Sequence, residues 1–365
     1  GVFGSQVAGV IWRLRRLCHF YGANPCFIGT SATIANPGEL GRGLVGDPVR
    51  VVDQSGAPAP PRRLALYNPP LADTGLGVRR LAIEDAQSMA GFLLANGLQT
   101  VCFTRSRLDV ERLVIALRRA IAQRGGDPAA VRGYRAGYLG AERRAIEAGL
   151  RDGSIRCVVA TSALELGIDV GSLSACVLVG YPGNTSSFWQ RIGRVGRGPS
   201  GGLAVLVASD SPLDQYLLAH ADEFLDMSAE AARVSLSNLH VQISQVRCAA
   251  FELPLDDQEL RDHPAVAPVL HGLQQQGELQ RVGSRWFWMG GAFPAREVSL
   301  RTADAAHIEI VARQGEQVVS VGQAEAADAP RWLHPGAVYL HEGNQYLVRS
   351  LDLGTGVPEV EPGAD

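Results

Sequence analysis

Lysine is missing from this sequence. All 34 basic residues are arginine, and with 37 acidic residues the formal net charge is −3. A loop of the form G-x-x-x-x-G-K-[ST], which cradles the phosphates of a nucleoside triphosphate, therefore cannot occur in this chain. The small negative charge gives no overall basic signature, so composition alone does not indicate a nucleic-acid partner.

Long apolar runs and paired cysteine motifs are also missing. No run approaches the roughly 18 residues of a membrane-spanning helix, so we expect no membrane partner. The six cysteines form no C-x-x-C pair, and Cys26, Cys102, Cys157 and Cys176 lie in strand-like apolar runs. We therefore expect buried thiols in a reducing cytoplasm and no metal site. The chain begins with Gly1, and we expect it to be a piece of a longer protein.

The length of 365 residues, with 46% hydrophobic residues, predicts two or three domains. Apolar residues at helical spacing predict a helix over 5–21, and a short strand over 26–29 follows. Asn36 and Pro37 then favour the start of a second helix. Two loop-like stretches bracket a strand at 64–67 and are typical of a hinge between domains.

Helices and apolar strands alternate from residue 82 to residue 224. The predicted strands lie at 99–104, 131–135, 155–160, 175–180 and 203–208. The clearest helix spans 107–124 and is capped by Ser106. This alternation predicts a parallel, helix-covered sheet whose ligands gather at the carboxyl ends of its strands.

A different pattern follows residue 226. Helices over 229–251 and 265–276 precede a tryptophan-rich hairpin, which favours a winged helix. Short alternating segments over 291–355 predict a small β-barrel, and 354–365 has the composition of a linker. The winged-helix segment has a net charge of −2, so it either braces its neighbours or contacts nucleic acid. Trp286, Phe287 and Trp288 are either core residues or stack on bases.

The sharpest motif is the stretch QRIGRVGR over 190–197. Arg194 and Arg197 share one helical face, beside glycines that remove bulk. Guanidinium groups in this arrangement are suited to stabilising a triphosphate, with a solvated arginine–glycine loop as the alternative.

Hydroxyl residues follow two of the predicted strands. Thr161 and Ser162 end one strand, and Thr104, Arg105 and Ser106 end another, where hydroxyl groups and free amides suit a backbone phosphate. An ordinary strand–helix turn and a simple helix cap are the alternatives. Gly167 and Asp169 come shortly after Thr161, where a carboxylate can bind a ribose hydroxyl.

Together, SAT (31–33), CFTRSR (102–107), VVATSALELGID (158–169) and QRIGRVGR resemble motifs III to VI of superfamily II DEAD/DEAH-box helicases. Further segments, among them GVFGS at residue 1 and LHPGAVYLH at 333, resemble the MrfA-like branch of DNA-repair helicases. The resemblance covers essentially the whole chain.

This resemblance implies a role for each matching residue. Arg194 and Arg197 would be arginine fingers, with Gln190 near the γ-phosphate. The remaining positions divide into nucleotide contacts (Gly167, Asp169), nucleic-acid contacts (Thr104, Arg105, Ser106, Thr161, Ser162) and residues that couple hydrolysis to domain movement (Ser31, Thr33). ATP with Mg²⁺ and single-stranded or forked DNA are the implied partners, with 3′-to-5′ translocation.

The predicted fold is therefore α/β. It comprises the end of a first RecA-like domain (1–72), a second RecA-like domain (73–226), a winged helix (227–290) and a small barrel with an acidic tail (291–365). The lysine loop, the Mg²⁺-binding DE-x-H box and the family's cysteine-rich module are not in this sequence. We expect an intact ATP-dependent helicase of which this part alone is inactive. A non-hydrolysing nucleic-acid-binding module and a related RNA helicase are the alternatives.

Overall fold

The computed structural model describes residues 2–57, 60–165, 173–196, 201–262, 266–300, 307–314, 317–325, 329–341, 344–351 and 358–362. The chain divides into two compact units, residues 1–54 with 231–305 and residues 55–230 with 306–365. Within the described residues, no helix is both long enough and apolar enough to cross a membrane.

The helices in the described ranges are α1 (Val2–Phe20), α2 (Pro37–Val45), α3 (Ala82–Ala95), α4 (Arg107–Ala122), α5 (Gly140–Asp152), α6 (Thr185–Ile192), α7 (Pro212–Ala219), α8 (Ala221–Asp226), α9 (Leu239–Glu252), α10 (Asp257–Asp262), α11 (Ala267–Gln275) and α12 (Ala329–Trp332).

The strands in the same ranges are β1 (Arg62–Tyr67), β2 (Leu71–Asp73), β3 (Val78–Arg79), β4 (Thr100–Phe103), β5 (Val131–Tyr134), β6 (Cys157–Ala160), β7 (Ala175–Val179), β8 (Gly202–Val207), β9 (Leu255–Asp256), β10 (Leu279–Val282), β11 (Arg285–Trp288), β12 (His307–Gln314), β13 (Gln317–Glu325), β14 (Val338–His341), β15 (Asn344–Leu351) and β16 (Pro358–Pro362).

A six-stranded parallel sheet forms the centre of the second unit. Its strand order is β1-β8-β7-β4-β6-β5, and every neighbouring pair is parallel. Buried apolar clusters lie on both faces of the sheet, as the continuous apolar strands predict. Helix α4 shows how the sequence specifies this packing, because Leu113, Val114 and Leu117 are fully buried and each contributes roughly 1.5–3 kcal/mol. The predicted RecA-like sheet is confirmed.

The edge strand β1 departs from the predicted domain division. Residues 62–67 pair in parallel with β8, from Arg62 opposite Gly202 to Tyr67 opposite Val207. The predicted boundary at residue 72 assigns this strand to the N-terminal domain. The structure instead places it in the sheet of the second unit. Its partner strand lies about 140 residues further along the chain, so no local sequence pattern indicates the pairing.

The first unit joins the N-terminal helix to the winged-helix segment. Arg16 of α1 is 7% exposed and donates hydrogen bonds to the carbonyl oxygens of Ala249 (2.9 Å) and Leu253 (3.0 Å). The same guanidinium pairs with Glu259 at 2.7 Å. Residues 1–54 are therefore tied to α9 and α10, a pairing that sequence spacing did not predict.

The winged-helix segment packs α9 and α11 against a three-stranded sheet in the order β10-β11-β9. Trp286 is 1% exposed and fills this core, whereas Phe287 is exposed on the hairpin. The predicted helix over 229–251 begins only at Leu239, because Asn238 caps it by accepting a hydrogen bond from the Val241 amide (3.2 Å).

Two further predictions of local structure were wrong. Residues 26–29 form no strand, and Cys26 is exposed rather than buried. A strand needs a neighbour with which to pair, and within the described residues this segment has none. The other predicted thiols, Cys102, Cys157 and Cys176, are buried as expected.

The segment predicted to be a small barrel forms a five-stranded sheet in the order β13-β12-β16-β15-β14. Its central strand, β16, was predicted to be a linker because of its proline and acidic residues. Val360 explains the difference, since this lone apolar side chain is fully buried where β16 pairs with both β12 and β15.

A buried ion pair fastens this sheet to the RecA-like domain. Nε of Arg135 donates to Glu111 at 2.9 Å, and the two residues are 2% and 1% exposed. The guanidinium also donates to the carbonyl oxygen of Leu340 and lies 5.0 Å from the ring centre of Tyr138 and 5.6 Å from that of Tyr339. One arginine thus joins β5, α4 and β14.

Replacing Glu111 tests this attachment. We expect Glu111→Ala to lower the free energy of unfolding by about 3–5 kcal/mol, because it leaves the Arg135 cation buried without its partner. Urea unfolding followed by circular dichroism measures the change. Glu361→Ala is the matched control, since Glu361 pairs with Arg349 at an exposed site and its loss should cost under about 1 kcal/mol. Equal losses in the two variants would contradict the assignment.

Candidate functional site

The predicted site residues of the second unit gather at the carboxyl edge of the parallel sheet. The last residue of β4, Phe103, lies opposite both Ala160 at the end of β6 and Leu178 in β7. The segments that follow β4 and β6 are therefore neighbours, and the Thr104 amide donates to the carbonyl oxygen of Ala160 at 2.9 Å. Parallel pairing alone brings the two hydroxyl-bearing turns together.

The five predicted nucleic-acid contacts differ in accessibility. Arg105 and Ser162 are exposed and Thr161 is half-buried, so these three can be reached from solvent. Thr104 is 1% exposed, and its hydroxyl donates to the carbonyl oxygen of Ser106 at 3.1 Å. Ser106 caps α4, because its hydroxyl oxygen accepts from the Asp109 amide at 3.0 Å.

Glycine at position 180 allows Arg105 to lie against the turn after β7. Gly180 has φ of +77°, and a Cβ there would stand 3.2 Å both from Cδ of Arg105 and from a carboxylate oxygen of Asp214. That carboxylate is buried and accepts from the Ser209 amide (2.8 Å) and hydroxyl (2.7 Å). Asp214 thus supports the turns next to Arg105, and its sequence context did not indicate this role.

Helix α6 carries the start of the arginine motif, Gln190 and Arg191, whereas Arg194 lies in the turn after Ile192 and not on the predicted helical face. Two carboxylates distant in sequence hold this helix. Its first two amides, those of Thr185 and Ser186, donate to Glu230 at 2.6 and 2.9 Å. Desolvation raises the pKa of Glu230, but the hydrogen bonds from Ser186 and Thr185 outweigh it, and the pKa falls to about 2. A negative charge at a helix N-terminus also favours the helix dipole.

The second carboxylate is that of Glu165, in the turn after β6. It accepts hydrogen bonds from the Ser187 hydroxyl (2.6 Å) and from Nε of Arg191 (3.0 Å). Its backbone carbonyl oxygen accepts from Arg194, through Nε at 3.2 Å and also through Nη2. Glu165 lies within a predicted motif, but the sequence did not indicate a function for it. The signal that could have indicated one is an acidic residue between two leucines, followed 26 and 29 positions later by Arg191 and Arg194.

The predicted nucleotide contacts are described only in part. Gln190 is half-buried on α6, and Arg194 is 6% exposed with its guanidinium on the Glu165 carbonyl. Arg197, Gly167 and Asp169 lie outside the described residues. Ser31 and Thr33 belong to the other unit, where Ser31 is exposed and Thr33 half-buried before α2.

The part of the chain that the structure describes contains no group of three or more His, Cys, Asp or Glu side chains arranged to hold a metal ion. What the described residues of the motif offer to a nucleotide is arginine and glutamine.

Comparison with known proteins supports the motif-based interpretation. The helicase conserved C-terminal domain matches residues 85–199, and the winged helix domain of the ATP-dependent helicase HRQ1 matches residues 234–303. The ATP-dependent helicase YprA of Bacillus subtilis is 44% identical over 353 residues, which are 96% of this chain and 47% of YprA. HRQ1 of Saccharomyces cerevisiae is 30% identical over 96% of this chain and 34% of its own length.

A solved structure is similar over the whole chain. The DUF1998 helicase MrfA bound to DNA and AMPPNP superposes with a TM-score of 0.94 at 43% identity, over 100% of this chain and 51% of MrfA. The chain thus spans about half the length of YprA and MrfA. The chain carries the helicase conserved C-terminal domain, and over its whole length it is similar to the MrfA-like helicases. The predicted winged helix is confirmed.

Acid should weaken the contact between Glu230 and α6. Because the pKa of Glu230 is lowered in the fold from its ordinary 4.5, its contribution to stability is complete above about pH 4.5 and disappears as the pH falls toward 2. We expect Glu230→Gln to lower the melting temperature at pH 7, and the gap to wild type to narrow between pH 4.5 and pH 3. Differential scanning fluorimetry across this range measures the gap, and a gap that stays constant down to pH 3 would refute the assignment.

Proposed function

We propose that this chain is the C-terminal part of an ATP-driven DNA helicase that moves 3′ to 5′ on single-stranded DNA and acts in DNA repair. The observation that carries the proposal is the junction of three motifs at one sheet edge. Arg105 follows one strand, and Thr161 with Ser162 follows its neighbour. The turn after that neighbouring strand binds Arg194 through the Glu165 carbonyl oxygen, and Arg194 comes directly after the helix that bears Gln190. The similar proteins include ATP-dependent helicases and a helicase bound to DNA, and they support the same reaction class.

In this proposal the carboxyl edge of the sheet binds the nucleic-acid backbone. Arg105 supplies a positive charge, and Thr161 with Ser162 supplies hydroxyl groups to phosphate oxygens. Contacts to phosphate position a strand without reading its sequence, as a motor that travels along DNA requires. Thr104 and Ser106 shape this surface from within, because their hydroxyls are engaged in the protein.

The substrate ATP is proposed to bind against the motif carried by α6. Hydrolysis of its terminal phosphate supplies the free energy for movement. Gln190, Arg194 and Arg197 are placed on the phosphate side, and Gly167 and Asp169 on the ribose side. Arginine in this position stabilises charge that develops on the transferred phosphoryl group. The other wall of the cleft, with the lysine loop and the Mg²⁺ ligands, is assigned to an upstream RecA-like portion.

Removing one arginine tests the nucleotide side. In a protein extended upstream through the lysine loop and DE-x-H box, we expect Arg197→Ala to lower DNA-stimulated ATP turnover by on the order of 10³-fold. Release of phosphate in the presence of single-stranded DNA measures the rate, and Arg349→Ala, at an exposed site, is the control. The unextended chain should be inactive. ATP hydrolysis by the unextended chain, or an Arg197→Ala variant with unchanged ATP turnover, would refute the proposal that the two RecA-like portions each form one wall of the ATP cleft.

Salt dependence tests the nucleic-acid side. We expect Arg105→Ala to weaken binding of this chain to an oligo-dT strand and to reduce the slope of log K against log salt by about 0.7, the value for one phosphate contact on a single strand. Fluorescence anisotropy measures both. Arg119→Ala, exposed in the last turn of α4 away from this edge, should leave the slope as it is. A matched RNA strand that binds more tightly would favour the RNA helicase, and an unchanged slope would remove Arg105 from the interface.

A further inference from the structure

One buried ion pair lies where the three motifs of the candidate site meet. Glu165 and Arg191 have side chains that are 12% and 8% exposed, and Nε of Arg191 donates to the Glu165 carboxylate at 3.0 Å. The same carboxylate oxygen accepts from the Ser187 hydroxyl at 2.6 Å. Neither residue lies among the predicted contacts to nucleotide or nucleic acid, so the site described above does not use this pair.

Each partner of the pair also contacts a segment that has a predicted function. The carbonyl oxygen of Glu165 accepts from Arg194, while its backbone amide donates to the carbonyl oxygen of Ser162 at 3.0 Å and closes the short 3₁₀ turn Ser162–Leu164 that follows Thr161. The guanidinium carbon of Arg191 lies 5.2 Å from the ring centre of Phe103, the residue that ends β4 just before Thr104. The pair therefore links the turn after β6 and the last residue of β4 to helix α6.

Burial makes this junction stiff. A charge removed from water is costly to leave without its partner, so Glu165 and Arg191 resist separation far more than an exposed pair does. The Ser187 hydroxyl is a second donor to the same carboxylate oxygen and gives the contact a fixed direction. A shift of the turn after β6 will therefore carry α6 with it, together with Gln190 and Arg194.

We infer that Glu165 and Arg191 are positioning residues that transmit the binding of a nucleic-acid strand at the sheet edge to the nucleotide-facing residues of α6. The inference rests on the proposed function and deepens it. The pair touches neither substrate. Strand contacts at Arg105, Thr161 and Ser162 shift the two turns, and the pair converts that shift into the placement of Gln190 and Arg194.

The test compares coupling with binding in the full-length protein. ATP turnover is measured without DNA and with saturating oligo-dT, and the ratio of the two rates is the readout, together with the DNA concentration that gives half-maximal stimulation. We expect Glu165→Gln and Arg191→Lys each to lower the ratio about tenfold, with less than about a threefold change in the half-saturating concentration. The double variant should lose no more than either single variant, because the residues act as one unit.

A second buried pair in the same unit provides the matched control. Glu111 and Arg135 are joined at 2.9 Å with side chains 1% and 3% exposed, but they face the five-stranded sheet. Glu111→Gln should lower the melting temperature yet keep the stimulation ratio of wild type. Ser187→Ala, which removes only the hydroxyl bond to Glu165, should lower the ratio by a smaller amount and leave the fold intact.

The outcomes separate this inference from the proposed function. A Glu165→Gln protein that keeps the wild-type ratio overturns the inference, as do additive losses in the double variant or an equal fall of the ratio in Glu111→Gln. A wild-type protein whose ATP turnover does not respond to DNA overturns the proposed function itself, and this inference with it.

Discussion

Parallel pairing of β4 with β6 and β7 is the constraint on which the rest of the second unit depends. It brings the ends of three strands to one edge, so that residues far apart in sequence become neighbours without any side chain having to draw them together. The turns at that edge expose Arg105 and Ser162 to solvent. The chemistry of the site is therefore a product of strand direction and order, and side chains only refine it.

The refinement comes from carboxylates, of which Asp214 and Glu111 are buried and Glu230 is exposed. Glu165 and Glu230 hold α6 along its side and at its N-terminus, Asp214 shapes the turns after β7 and β8, and the ion pair of Glu111 with Arg135 fastens the neighbouring sheet. Such contacts add little net stability compared with apolar packing, but each is costly to break. They determine the positions of elements relative to one another within the unit.

Much of this fold could be predicted from the sequence, and the failures have physical causes. The continuous apolar runs of β4 and β6 indicated buried parallel strands, and Ser106 marked the start of α4 through its local hydrogen bond to Asp109. The run 26–29 looks like a strand but lacks a neighbour to pair with among the described residues. Residues 358–362 look like a linker, since only Val360 reveals their burial. Glu165 and Glu230 acquire their roles from partners 22 to 45 residues away, and no local pattern reports such contacts.

The position of β16 also bears on the order in which the chain can fold. Residues 307–325 and 338–351 each form a hairpin, and β16 joins the two by pairing with β12 on one side and β15 on the other. During vectorial synthesis on the ribosome, both hairpins emerge before the strand that unites them. The sheet therefore cannot be completed until residues 358–362 have left the exit tunnel, although the RecA-like sheet has all its strands by residue 207. All strands of the RecA-like sheet are therefore synthesised before the last strand of the sheet that contacts Arg135.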